Sequence, residues 1–354
     1  MEQIRRIRIL EKRWETNDAA TFTLTPDDGC DLDYLPGQYL SLIRTIHGVE
    51  KRRAYSFSSC PGVDPHPAFT VKRIPNGEFS NWLLRDVQPG DVLQTGAPAG
   101  RFLLPDAAPK RLFFLAAGSG ITPVFSHLKA LLAASRFPDV PVVLFYANRS
   151  SVQTIFKPAL DRWIVEYPGR FSCTYFFSQE KNAPHALFRH LNNALFEEQL
   201  LHIFGGPISR ADRAGAHFFL CAPQALVRMA RMTLRTLDFP EEQLHQEVFI
   251  PAVPPPVAVV DPTKTYQVMA TGSDGQRVVF QIFGGETILN GALRQGIALP
   301  YTCKSGVCFT CLARCIRGRI ELRFGDQNRT EGPGALVNTC IGYPLTGAVE
   351  IVYE

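Results

Sequence analysis

Three cysteines fall within nine residues, Cys303, Cys308 and Cys311, and a fourth, Cys340, follows after twenty-eight more. Gaps of four and two residues with one distant partner form the C-x4-C-x2-C…C spacing of a [2Fe–2S] cluster. Two irons bridged by two sulfides need four thiolates converging on a flat rhomb. A tight loop can supply three of them, and the chain must return with the fourth. Gly306 lets the loop backbone pass close enough for amide N–H groups to face the sulfides. A zinc ribbon would want a second C-x2-C pair or histidines nearby, yet every histidine precedes Pro251. A disulfide framework would need a secreted context, which nothing in the chain supports. The cluster ligands are therefore expected to be Cys303, Cys308, Cys311 and Cys340, with Cys315 a small buried apolar side chain.

The 354 residues are enough for two or three domains, and 45% hydrophobic with 20% charged residues suits ordinary globular ones. A net charge of +4 is too mild to argue for nucleic acid as a partner. No apolar run reaches the roughly 18 residues of a membrane span. The first residues are basic but lack the apolar core of a secretory signal, and Ile4, Ile7 and Ile9 among charges read as an opening strand. Thiols kept as ligands imply a reducing interior, so a cytoplasmic location is expected.

Residues 1–107 alternate short apolar strands with turn signals such as Pro36-Gly37, Pro75-Asn76-Gly77 and Pro89-Gly90. That punctuation predicts a small antiparallel β-barrel. Two clusters stand out in it. In Arg53-Ala54-Tyr55-Ser56, strand alternation puts the guanidinium and the phenol on one side. Such a pair can hold a pyrophosphate and lie against a flat ring. In Val71-Lys72-Arg73 and Gly77-Glu78-Phe79-Ser80-Asn81, a glycine turn opens a helix, where free N–H groups can receive phosphate oxygens; a plain helix cap is the simpler role for Ser80. Together they resemble the flavin barrel of the ferredoxin–NADP reductase superfamily, with its R-x-Y-S and G-x-x-S motifs, and Gly96-Ala97-Pro98-Ala99-Gly100-Arg101-Phe102 resembles its G-P-x-G-x-F strand. The resemblance implies FAD, with Arg53 at the pyrophosphate, Tyr55 and Ser56 against the isoalloxazine, and Val71, Arg73, Gly77, Ser80 and Asn81 around the phosphates.

Residues 108–250 change period. Continuous apolar runs, as in Arg111–Ala117 and Val142–Tyr146, alternate with helical stretches, which predicts a doubly wound α/β domain. Gly118-Ser119-Gly120 follows the first run, where glycines admit a pyrophosphate, although the same triplet is a common tight turn. With Ile121-Thr122-Pro123 it resembles the NAD(P) motif of the same superfamily, which places Thr122 and Cys221 close to the nicotinamide. Cys221-Ala222-Pro223 departs from the usual C-G-P, and a buried thiol is the alternative role for Cys221. Asn148-Arg149-Ser150 fall where the adenosine ribose is expected. A cation there with no acid from Ala147 to Ser151 favours NADPH over NADH. Glu247-Val248-Phe249 resembles the family's E-x-F ending.

Residues 251–263 hold four prolines in six positions and predict a semi-rigid linker. From 264 to 354, alternating strands, a Thr287-capped helix and the cysteine loop resemble the β-grasp of plant-type ferredoxins. This stretch has nine Lys and Arg against seven Asp and Glu, so it lacks the acidic face of many free ferredoxins. The whole resembles the flavin–nicotinamide–ferredoxin reductases of bacterial multicomponent oxygenases, of the phenylacetyl-CoA epoxidase, ketosteroid hydroxylase and hybrid-cluster-protein reductase type. The resemblance implies electron transfer from NAD(P)H through FAD and a [2Fe–2S] cluster to a protein partner, an oxygenase component or another redox protein. A stand-alone diaphorase or flavin reductase, a non-enzymatic redox sensor and a module whose ferredoxin domain is merely structural are the alternatives.

Overall fold

The computed structural model describes residues 4–27, 29, 31–46, 48–181, 183, 186–249, 264–301, 306, 310–324 and 327–353. Ile4–Pro98 and Phe102–Phe249 form one compact unit, and the C-terminal residues form another.

The first unit opens with six strands: β1 (Arg5–Thr16), β2 (Ala19–Pro26), β3 (Tyr39–Ile46), β4 (Val49–Ser56), β5 (Ala68–Lys72) and β6 (Val92–Thr95), with helix α1 (Glu78–Arg85) between the last two. They pair antiparallel in the order β4-β3-β6-β1-β2-β5. The sheet closes on itself where Phe57, just past β4, bridges to Phe69 on β5. Alternation decides the faces: Ile7 and Ile9 are buried while Arg6, Arg8 and Leu10 point outward. Phe22, Phe57, Phe69, Phe79 and Leu83 fill the interior. Each such buried side chain contributes roughly 1.5–3 kcal/mol.

The α/β part follows: β7 (Arg111–Ala117), α2 (Ile121–Leu132), β8 (Val142–Asn148), α3 (Lys157–Glu166), β9 (Phe171–Phe177), β10 (Ala186–Leu187), α4 (Asn193–Phe204), α5 (Arg210–Gly215), β11 (Ala216–Cys221), α6 (Gln224–Thr236) and β12 (Leu244–Glu247). The sheet is parallel throughout, in the order β10-β9-β8-β7-β11-β12. Successive residues of its strands enter opposite cores. Phe114, Tyr146, Tyr175 and Phe219 pack with α2 and α3, whereas Phe113, Phe145, Phe176 and Phe218 pack with α4 and α6. This two-sided burial is why these strands read as unbroken apolar runs. The order reverses at β7, so its carboxyl end lies at the switch point where ligands of such sheets bind. Helix α4, which the sequence reading passed over, carries a plain pair of signals. Asn192 caps it by accepting from Leu195 N at 2.9 Å, and Gly205 ends it at φ 75°.

The C-terminal unit contains β13 (Thr265–Thr271), β14 (Arg277–Phe283), α7 (Ile288–Arg294), β15 (Leu312–Arg317), β16 (Ile320–Phe324), β17 (Gln327–Glu331), β18 (Leu336–Asn338), β19 (Gly342–Pro344) and β20 (Ala348–Val352). A mixed sheet, β14-β13-β20-β15-β18, stands beside a small one, β17-β16-β19. Thr287 caps α7 by accepting from Asn290 N, and Ile288, Leu289 and Ala292 press on the sheet. The linker of residues 251–263 lies outside the described residues. No described helix is long and apolar enough to cross a membrane.

Candidate active site and metal centre

The turn after β7 sits against the end of β11. Gly118 has φ +53°, and a Cβ on Gly120 would fall 1.9 Å from Cys221 O. No side chain fits there, which is why the turn needs glycine at 120. Thr122, 2% exposed, donates to Ser119 O at 3.0 Å and so holds the turn from inside. Tyr146, on β8, donates to Gly118 O at 3.0 Å and lies 3.4 Å from Ile155 O. The sequence reading missed this tyrosine, which resembled any other core aromatic.

Cys221 ends β11 directly opposite Glu247 on β12. Burial, and then the Glu247 charge, push its thiol well above the usual range. Glu247 is reached from the barrel: Ser56 Oγ donates to Glu247 Oε1 at 3.3 Å. Burial pushes the Glu247 carboxyl up to about 8, against the opposing pull of Ser56. Ser56, Cys221 and Glu247 thus meet, although 191 residues separate the first from the last. Glu247 was quoted at sequence level only as part of an ending motif. Its role needed the fold, since nothing in the chain says which strand end faces Ser56.

Tyr55 lies beside Phe69 and Phe79, with ring centroids 5.7 and 6.1 Å away, and burial raises its phenol. Arg53 is exposed and donates to Arg52 O at 2.7 Å. Val71 is fully buried in the barrel, so only its backbone can meet a ligand. Gly77, rather than Ser80, precedes α1 as its N-cap. Ser80 is 3% exposed, and its hydroxyl accepts from Ile74 N at 3.2 Å and donates to Gly77 O at 3.3 Å. Asn81 Nδ2 donates to Ile74 O. Both side chains shape the glycine turn from behind.

A cleft of about 700 Å³ joins the two halves of this unit, lined by Lys72, Arg73, Gly118, Ser119, Asn148 and Arg149 among others. Of the predicted site residues it brings together Arg73, Gly118, Asn148 and Arg149. Arg53, Tyr55, Ser56, Val71, Gly77, Ser80, Asn81, Gly120, Thr122 and Cys221 do not line it. Asn148 Nδ2 is buried with no hydrogen-bond partner among the described residues. A basic cleft with Gly118 on its wall and a buried amide left unsatisfied fits nucleotide cofactors.

In the C-terminal unit, Cys303 and Cys308 lie outside the described residues. Cys311 and Cys340 are buried with their sulfurs 3.2 Å apart. Gly306 N donates to Cys340 Sγ at 3.1 Å. Gly306 has φ +77°, and a Cβ there would meet Ile341 at 2.6 Å. Asn338 Nδ2 fixes this glycine by donating to Gly306 O at 3.1 Å. Thr339 donates to Cys311 O through both its amide and its hydroxyl. The threonine proton is then committed, so Tyr353 OH, 3.1 Å away, must donate to Thr339 Oγ1. Two converging thiols, one already receiving an amide hydrogen bond, fit an anionic iron–sulfur cluster.

Comparison with known proteins agrees with this layout. Residues 6–103 match the oxidoreductase FAD-binding domain, residues 114–232 the oxidoreductase NAD-binding domain, and residues 272–345 the 2Fe-2S iron–sulfur cluster binding domain. The chain is 31% identical over 360 residues to one of the subunits of 1,2-phenylacetyl-CoA epoxidase from Escherichia coli, covering 96% of this chain and 95% of that one. It is 29% identical over 376 residues to the ferredoxin reductase component of 3-ketosteroid-9-alpha-monooxygenase from Mycobacterium tuberculosis, covering 100% and 97%. Among solved structures, phthalate dioxygenase reductase superposes with a TM-score of 0.61 at 22% identity, over 98% of this chain and 97% of that one. The chain belongs to the ferredoxin–NADP reductase superfamily, in the group with a C-terminal [2Fe–2S] ferredoxin domain, and is an NAD(P)H-dependent FAD/[2Fe–2S] electron-transfer oxidoreductase.

Proposed function

We propose that this reductase serves an oxygenase component, drawing on NADPH in preference to NADH, inside the cytoplasm. The relatives are named as oxygenase subunits or reductase components, and Arg149 supports the donor preference. We assign residues 1–107 to the flavin, 108–250 to the nicotinamide, 251–263 to a linker and 264–354 to the cluster.

FAD supplies a two-electron acceptor and the [2Fe–2S] cluster a one-electron carrier when bound. The chain's residues do the rest. Arg53 and Arg73 neutralise phosphate charge, and Tyr55 and Ser56 lie against the flavin. Gly118 and Gly120 let the pyrophosphate approach the backbone, while Asn148 and Arg149 hold the adenosine end. Thr122 and Cys221 wall the nicotinamide. Glu247 keeps its proton through most of the neutral range and can exchange it through Ser56 Oγ. Cys303, Cys308, Cys311 and Cys340 hold the metal.

The meeting of Ser56 with Cys221 and Glu247 beside the Gly120 turn carries this reading, because it joins barrel and sheet at one point. Anaerobic NADPH titration, followed by absorbance and electron paramagnetic resonance, tests it. Flavin bleaching and then a one-electron cluster signal are expected. Bleaching with no cluster signal would favour a diaphorase; no bleaching at all would favour a sensor.

A further inference from the structure

The preference for NADPH rests on Arg149 and on the lack of an acid from Ala147 to Ser151. The fold brings an acid from elsewhere. Ser178 N donates to Asn148 O at 3.1 Å and Gln179 N to Arg149 O at 2.8 Å. The β8–β9 pairing therefore runs on past both strands and lays residue 180 beside residue 151. There Glu180 takes both donors of Ser151: the amide reaches Oε2 at 2.6 Å and the hydroxyl reaches Oε1 at 2.9 Å. The Ser151 amide, then its hydroxyl, hold this carboxyl below the usual carboxylate range. Ser151 lies between cleft-lining neighbours, Asn148 and Arg149 before it and Gln153 after it, and Ser178 and Arg189 line the same cleft.

We propose that Glu180 is a specificity-determining residue for the nicotinamide donor, an internal anion that holds the Ser151 donors against the 2′-phosphate of NADPH. NADH lacks that phosphate and meets no such competitor. The inference rests on the adenosine end lying at Asn148–Ser151. A 2′-phosphate entering there must either displace a bidentate carboxylate or sit beside it, and like charges at close range oppose each other. Arg149 and Arg189 pull the other way. Glu180 thus weakens a preference that the arginines create, and its free lone pairs can still accept from a 2′-hydroxyl.

The test uses the FAD-loaded full chain and two probes that differ only by the phosphate, 2′,5′-ADP and 5′-AMP, with affinities measured by calorimetry. E180Q keeps the side chain's shape and removes its charge. It is expected to tighten 2′,5′-ADP about tenfold relative to 5′-AMP, and adding S151A should return most of that gain. An unchanged or reduced ratio in E180Q would overturn the proposal, as would an equal gain for both probes. R149A separates the two levels of inference. If R149A lowers the ratio while E180Q leaves it alone, the adenosine seat stands and the role of Glu180 falls. If neither variant moves it, both fall.

Discussion

Gly120→Ala puts one methyl group where the fold leaves no room. The new Cβ would lie 1.9 Å from Cys221 O and 2.7 Å from Cys221 C. Both obstacles are backbone, so no side chain can swing away. Moving from 1.9 Å to an ordinary contact of 3.4 Å requires the turn and the end of β11 to part by about 1.5 Å. The opposing strand end carries Cys221 and, through its pairing, Glu247, so the displacement passes straight into the active site. Overpacking of this kind costs roughly 1–3 kcal/mol, and a misplacement of about 1 Å can lower a rate about a hundredfold. Gly118→Ala is the control. Nothing lies within 4 Å of its added Cβ, and only the left-handed backbone at φ +53° opposes it; the expected cost is about 1–2 kcal/mol with little steric push. The assay is NADPH–ferricyanide turnover by each FAD-loaded variant, with Tm measured alongside. G120A should lose about a hundredfold in kcat while G118A loses less than tenfold. A G120A protein with wild-type kcat and Tm would refute the argument that backbone contact forces glycine at this position.

Three further outcomes follow from the same contacts. Glu247 has its carboxyl raised from 4.5 to about 8, so the folded state binds a proton that the unfolded state has released between those values. Stability should therefore fall as pH rises from about 4.5 to 8, by at most about 5 kcal/mol. E247Q should flatten this profile in denaturant titrations, and an unflattened slope would assign it to other groups. Gly37→Ala would set a Cβ 1.8 Å from Phe102 O and 2.5 Å from His127 Nε2, at the 2.8 Å hydrogen bond that joins this buried imidazole to Phe102 O. A loss of about 3 kcal/mol or more in unfolding free energy is expected. C340S should abolish the cluster's paramagnetic signal and NADPH-driven cytochrome c reduction while keeping ferricyanide turnover. Cytochrome c reduction that survives would mean that electrons leave before the cluster.

Much of the architecture was legible because strand and helix periods in this chain are unmixed. Arg111–Ala117 is apolar throughout since both faces of β7 are covered, and β1 alternates since only one face is. Glycine positions were legible for a related reason: a turn that needs φ > 0 or tolerates no Cβ leaves a mark in the chain itself. What the sequence reading lacked was the partner of each marked residue. Ser80 was expected to open α1 and instead stands three residues after the Gly77 cap, with its hydroxyl turned back on Ile74 and Gly77. No acid stands beside Arg149 in the chain, from Ala147 to Ser151, yet the β8–β9 register delivers Glu180 to Ser151. Tyr146 gave no signal because its hydroxyl reaches backbone carbonyls, which have no residue identity to pattern against.

The two redox centres make different demands on a fold, and this explains which one the sequence announced. A plant-type cluster takes its ligands through iron–thiolate bonds, so four cysteines must converge and the size of the cluster constrains their spacing. The surrounding support can then vary: here an asparagine, a threonine and a tyrosine near the chain's end hold Gly306 and Cys311 by hydrogen bonds. A flavin–nicotinamide junction takes no covalent bond from the chain. It needs a gap of set width between two domains, bordered by groups of suitable charge, and many residue sets can provide that. Close backbone approach shapes each side of this junction, with Gly120 against Cys221 in the α/β part and Gly37 against Phe102 in residues 1–107. The exchangeable proton there is held by Glu247, which Ser56 reaches from 191 residues away. Spacing rules therefore identify the metal centre in one pass along the chain. The hydride site becomes visible only after barrel and sheet have been folded against each other.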